Sequence, residues 1–175
     1  MSSPVKPDAS ERYALRMAAL RQSPVAAAAL VGANRVLTVL FYIAFALLLA
    51  LVALGDPWRV LPVALVPAAA FVLVSAARKG MNEPRPYEVF GVEPLIAREG
   101  AGCSFPSRHA FSAFAIAVSW LVASVPVACG LIACACALAW CRVLGGVHFP
   151  RDVVAGAAAG IAAGVATCAL AIPLI

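Results

Sequence analysis

His148 and Asp152 stand four apart, with Pro150 between them. Proline fits the first turn of a helix, so Asp152 is predicted on that turn and His148 in the loop before it. A carboxylate that accepts one ring N–H fixes the tautomer and leaves the other nitrogen as base, ligand or nucleophile. Upstream, Arg142 brings a planar fork of donors that matches a phosphate or a carboxylate. A satisfied histidine beside a helix-capping aspartate explains the same pair, and the pair alone does not separate the two readings. Two further polar groups flank a long segment: Arg78, Lys79 and Arg85 near its start, and Ser107, Arg108 and His109 at its end.

These residues must be positioned by very apolar elements. Of 175 residues, 64% are hydrophobic and 12% charged, and the mean hydropathy is +0.98. That balance lies outside the soluble globular range and indicates a polytopic membrane protein. No charge occurs between Arg35 and Asp56, Arg59 and Arg78, Arg108 and Arg142, or after Asp152. A spanning helix needs about 20 mainly apolar residues. The gaps at 36–55, 60–77 and 153–175 therefore predict one helix each, and 109–141 two short ones with a turn at Ser124-Val125-Pro126. The expected fold is an all-α membrane bundle of about five transmembrane helices, with residues 1–32 a tail and 33–175 the membrane domain.

In the tail, Lys6, Arg12, Arg16 and Arg21 interrupt any continuous apolar run, which does not match a cleaved signal peptide. Asp8 or Ser10 could cap an amphipathic interfacial helix running to about Leu20; a frayed tail is the other reading. The six cysteines are Cys103, Cys129, Cys134, Cys136, Cys141 and Cys168. Cys134 and Cys136 point to different faces of a helix, and no disulfide or metal site is assigned.

Five spans put the tail, residues 78–108 and the 142–152 junction on one side. That side carries 12 of the 13 Lys and Arg residues, the other only Arg59. The positive-inside rule then predicts a multi-pass protein of the inner (plasma) membrane with its N-terminus and polar site in the cytoplasm.

All three polar groups thus converge on one membrane face, where polar residues between apolar spans point to function. Arg78-(six residues)-Arg85-Pro86, then Pro106-Ser107-Arg108-His109, then Cys141-Arg142-(five residues)-His148-(three residues)-Asp152 resembles, in order and spacing, the signature of the type 2 phosphatidic acid phosphatase (PAP2) superfamily, KxxxxxxRP, PSGH and SRxxxxxHxxxD. The resemblance covers about residues 36–170. Three departures stand out: Arg78 replaces the first lysine, with Lys79 one position late; Arg108 replaces the glycine; and Cys141 replaces the serine.

The resemblance implies that His148 attacks phosphorus and becomes a phosphohistidine, that Asp152 orients it, and that His109 protonates the leaving oxygen and then activates water. Arg78 or Lys79, Arg85, Ser107, the Arg108 amide and Arg142 would hold the phosphoryl oxygens, with no metal or other cofactor. Two imidazoles with pKa near ~6.5 suit a two-step displacement, and fixed donors suit its charge. The implied substrate is a lipid phosphate. The variant motifs and compact size resemble an actinobacterial branch that dephosphorylates decaprenylphosphoryl-5-phosphoribose to decaprenylphosphoryl-ribose for cell-wall arabinan. Phosphatidylglycerol phosphate, phosphatidate and polyprenyl diphosphate are the alternatives. A non-enzymatic transporter or lipid-binding protein is the competing class, and no feature points to nucleic acid.

Two stretches leave their use open. Residues 87–105 interleave apolar and charged side chains and suit either an interfacial lid or a loop packed on the bundle. Gly156, Gly160 and Gly164 make a small-residue stripe that permits close helix approach, either within the bundle or in a homodimer.

Overall fold

The computed structural model describes residues 8–97 and 100–171, and all the regular elements among them are helical. Helix α1 (Ala9–Gln22) starts where Asp8 accepts the Glu11 N–H at 2.7 Å, a cap contributing about 1 kcal/mol. Ser23 ends α1 and caps α2 (Pro24–Gly55), with Pro24 in the first turn. Thus α2 is one helix of 32 residues that begins well before the charge-free stretch at 36. It also runs through residues 32 and 33, where the sequence suggested a boundary. A lone cation such as the exposed Arg35 can extend its head to water while its stem lies along the helix. Absence of charge therefore marks the hydrocarbon-facing part of a helix, not its length.

A 3₁₀ turn at Pro57–Arg59 leads into α3 (Val60–Met81). This helix stops at Asn82, which takes the left-handed conformation (φ 43°) common at helix ends. The short helix α4 (Pro86–Phe90) lies in the long segment. Next come α5 (Arg108–Ser119), capped by Ser107 and extended by a 3₁₀ turn to Val122, then α6 (Val125–Leu144) and α7 (Pro150–Ala171). Proline stands in the first turn of α6 and opens α7, where its missing N–H costs no hydrogen bond.

Among the described residues, four helical stretches are long and apolar enough to cross a membrane: Pro24–Gly55, Pro57–Phe90, Val125–Leu144 and Pro150–Ala171. The fifth apolar segment, Arg108–Val122, is shorter. At 1.5 Å per residue it reaches only about 22 Å against a hydrocarbon core of about 30 Å. Enclosed in the middle of the bundle by its neighbours, it need not match that thickness: every residue from Ala110 to Ser119 except Ser112 is buried. Around it Phe41, Leu48, Phe114, Trp120, Leu131 and Leu138 form the main core, and the Trp120 indole donates to the Ala44 carbonyl at 3.0 Å. Outer faces carry exposed leucines such as Leu54, Leu65, Leu73 and Leu170, the inverse of a water-facing surface.

The glycine stripe explains how α5 fits there. A Cβ at Gly156 would collide with the Ser107 carbonyl, one at Gly160 with the Phe111 carbonyl, and one at Gly164 with the Val118 side chain. Only glycine lets α7 approach the α5 backbone this closely. That face is consumed within the chain, so it is not a surface for joining two copies.

Candidate active site

The loop before α7 and the first turn of that helix build the central pair. Asp152 is fully buried; its Oδ2 lies 3.5 Å from His148 Nδ1 and accepts the Phe149 N–H at 2.9 Å. The same oxygen accepts the Ser104 hydroxyl at 2.5 Å. Ser104 comes from the segment before α5, so the tie spans two of the three polar groups. The backbone repeats it, since the Ser107 N–H donates to the Asp152 carbonyl at 2.9 Å. The starts of α5 and α7 are therefore locked together at one end of the bundle.

Three arginines close around this pair. Arg85 is fully buried and donates to the carbonyls of Gly102 (2.9 Å), Cys103 (3.1 Å) and Val147 (2.9 Å). Arg78 donates to the carbonyls of Pro106 (2.7 Å) and Ser104 (3.2 Å). Arg142 donates to the side-chain oxygen of Asn34 on α2 at 3.2 Å. Each guanidinium thus holds elements distant in sequence together, and all three are near enough for their charges to act on His148. Losing one leaves buried carbonyls without donors, at about 1–3 kcal/mol each. Lys79, one residue beyond Arg78, is exposed.

Burial pushes the His148 pKa down to about 4; Asp152 opposes this, and Arg142, Arg85 and Arg78 reinforce it. The ring is therefore neutral at pH 7. A neutral imidazole whose Nδ1 faces a carboxylate presents Nε2 as a nucleophile or base.

His109 is half-buried on the first turn of α5. With Arg108, Thr38, Tyr42 and Phe71 it lines a cavity of about 210 Å³ among α2, α3, α5 and α6. The Arg108 guanidinium lies 5.8 Å from the centre of the Phe71 ring, leaving its backbone N–H at the helix start, where anions are favoured. His148 lines a different cavity, of about 370 Å³, bounded by α1 and α4. The two histidines thus share one end of the bundle but open onto separate cavities. Among the described residues, no group of three or more His, Cys, Asp and Glu side chains is placed to hold a metal ion.

The long segment packs on the bundle. The Leu95 and Ile96 N–H groups both donate to the Gly145 carbonyl, at 3.0 and 3.4 Å, and Ile96 is buried. Glu88 accepts from the backbone N–H groups of Arg85 (2.7 Å) and Gly102 (2.9 Å), pinning the loop on either side of the Arg85 guanidinium. Farther out, Arg151 pairs with Glu83. Ser104, Glu88 and Asn34 are the site-building residues that sequence reasoning did not single out. For Ser104 the signal was a lone hydroxyl three residues before Ser107, too common to weigh.

Residues 59–172 match the PAP2 superfamily, and the chain belongs to it. Its fold is that of membrane phosphatases of this type. It superimposes on the crystal structure of LpxE from Aquifex aeolicus with a TM-score of 0.68 and 28% identity, over 90% of this chain and 92% of that one. It also resembles the transmembrane PAP2-type phosphatidylglycerolphosphate phosphatase from Bacillus subtilis, with a TM-score of 0.61 and 22% identity, over 89% and 90% of the two chains. Comparison with curated protein sequences gives no match.

Proposed function

We propose that this chain hydrolyses a phosphomonoester on a membrane lipid through a phosphohistidine on His148. The observation that carries the reading is the buried chain Ser104–Asp152–His148 ringed by Arg78, Arg85 and Arg142. A carrier of lipid headgroups needs cations; it does not need a neutral imidazole backed by a buried, hydrogen-bonded carboxylate.

In the first step His148 Nε2 attacks phosphorus and the lipid oxygen leaves with a proton from His109. In the second, water deprotonated by His109 attacks the phosphohistidine, releasing inorganic phosphate and restoring the imidazole. Asp152 stabilises the imidazolium that forms between the steps, and no metal or other cofactor takes part. Arg78 rather than Lys79 meets the phosphate, because only Arg78 points inward. Arg85, Ser107, the Arg108 amide and Arg142 complete the donor set. The reading requires His109 to reach the same phosphorus, and the hydrogen bond joining the starts of α5 and α7 supports this.

The first-choice substrate is decaprenylphosphoryl-5-phosphoribose, giving decaprenylphosphoryl-ribose for arabinan synthesis, with the site facing the cytoplasm across an inner membrane crossed five times. Phosphatidylglycerol phosphate, phosphatidate and polyprenyl diphosphate are the alternatives. The motif variants and the excess of cations at the site's end support these choices. The test is phosphate release from a panel of these lipids by the purified protein and by His148→Ala. The native chain is expected to turn over at least one and the variant none; equal rates would eliminate the reading.

A further inference from the structure

Helix α1 lies outside the residues that match the family, yet it is built onto the loop that carries His148. Tyr13 is buried, and its hydroxyl lies 3.1 Å from the Gly146 carbonyl and 3.3 Å from the Val92 carbonyl, sharing its one proton between them with Gly146 the nearer acceptor. Gly146 has φ +79°, and a Cβ there would press on that hydroxyl and on the Met17 sulfur. Met17 is fully buried, and Arg21 donates to the Glu93 carbonyl at 2.7 Å. The Tyr13 ring lies 5.1 Å from that of Phe90, which meets the Phe149 ring edge-on at 6.0 Å. A helix that only floated on the membrane surface would bury its apolar side chains in lipid; this one buries Tyr13 and Met17 against the loop.

That loop, between α6 and α7, gives His148 no regular structure to hold it. Asp152 faces the ring from the α7 side. On the α6 side three consecutive carbonyls each accept from a distant segment: Gly145 from the Leu95 N–H at 3.0 Å, Gly146 from Tyr13, and Val147 from the Arg85 guanidinium at 2.9 Å. A backbone tied at three successive residues is held against both sliding and turning. The outer two ties come from within the family-matched region, and the middle one comes from α1. Displacing a reacting group by about 1 Å can cost about 100-fold in rate. A tie two residues from His148 therefore bears on the chemistry as well as on the fold.

We propose that Tyr13 is a positioning residue for the hydrolysis: its hydroxyl holds the Gly146 carbonyl and so sets where the His148 ring stands when it attacks phosphorus. The inference rests on the phosphatase reading. The hydroxyl proton is committed to backbone carbonyls, so Tyr13 acts through the loop and to the same extent for every lipid phosphate the chain accepts.

The experiment compares the full-length native chain with Tyr13→Phe and Arg21→Gln. Tyr13→Phe keeps the ring beside Phe90 and removes only the donor, whereas Arg21→Gln loosens α1 at its tie to Glu93, away from Gly146. The substrates are short-chain phosphatidate and short-chain phosphatidylglycerol phosphate. Tyr13→Phe lowers kcat about tenfold with KM within twofold, equally for both lipids, and slows the single-turnover appearance of phosphate on His148 by the same factor. Arg21→Gln keeps kcat within twofold of the native chain, whatever its Tm. A Tyr13→Phe chain with native kcat overturns the proposal. Equal losses of kcat in the two variants overturn it too, because α1 would then only support the fold. So does a change confined to KM, or to the ratio between the two lipids, because the hydroxyl would then meet the substrate. Should Tyr13→Phe not fold, the donor is exchanged instead of removed: 4-aminophenylalanine at position 13 keeps an N–H there and leaves kcat within threefold. A folded chain of that kind that is slowed tenfold or more overturns the proposal. Failure of the native chain to release phosphate from any lipid of the panel refutes the phosphatase reading, and this inference with it. Release by the native chain and by Tyr13→Phe at the same kcat refutes the inference alone.

Discussion

Replacing Ser104 with alanine removes one hydroxyl and tests whether the carboxylate of Asp152 is held for chemistry. Ser104 is fully buried and donates at 2.5 Å to the same oxygen that lies 3.5 Å from the His148 ring. A hydrogen bond to an ionised acceptor contributes about 1.5–3 kcal/mol. If that energy serves to align the imidazole at the transition state, its loss lowers kcat by about 10- to 150-fold. KM changes little, because Ser104 touches Asp152 and not the cavities. The assay is phosphate release in mixed micelles, with whichever lipid phosphate of the panel is turned over fastest. It is run on the native chain, Ser104→Ala, Asp152→Asn and the double variant. Ser104 acts through Asp152, so the double variant should be no slower than Asp152→Asn alone. A Ser104→Ala chain with full kcat and only a lowered Tm would show that the hydroxyl merely supports the fold. Additive losses in the double variant would break the proposed link between the two residues.

Two other outcomes follow from the same geometry. A folded-state pKa of about 4 for His148, below its ordinary ~6.5, means that the unfolded chain takes up the proton first as pH falls. The stability from the neutral ring is then complete above pH ~6.5 and lost on descent through about 4, amounting to about 3 kcal/mol. A Tm in detergent that drops over this window in the native chain but less in His148→Gln agrees with this, as does a ring carbon resonance titrating near 4; a midpoint at 6.5 refutes it. Arg78→Ala should lower kcat/KM by about 100-fold or more and also lower Tm, because the Pro106 and Ser104 carbonyls lose a donor. Lys79→Ala should stay within twofold of the native chain on both counts, and the reverse pattern would reassign the phosphate contact.

Much of this architecture was legible from spacing along the chain. Charge-free stretches located the apolar helices, because an unpaired charge in hydrocarbon is costly wherever the chain goes. Pro150 and Asp152 announced the start of α7, and Asp8 and Ser10 were the two candidate caps for α1, of which the structure uses Asp8, because helix caps are local chemistry involving residues a few positions apart. The order and spacing of Arg78, Arg85, His109, Arg142, His148 and Asp152 pointed to the superfamily for the same reason. Other features needed the folded chain. Whether Arg78 or Lys79 faces inward depends on how α3 is rotated in the bundle, since neighbours on a helix point about 100° apart. The donors and acceptors that fix the site lie far apart in sequence: Ser104 with Asp152, Asn34 with Arg142, Tyr13 with Gly146. No sequence period relates them. The same holds for the stripe of Gly156, Gly160 and Gly164, whose spacing permits a close helix neighbour without naming it. Tertiary structure chose α5, because backbone carbonyls of that helix occupy the space where two of the three side chains would have been.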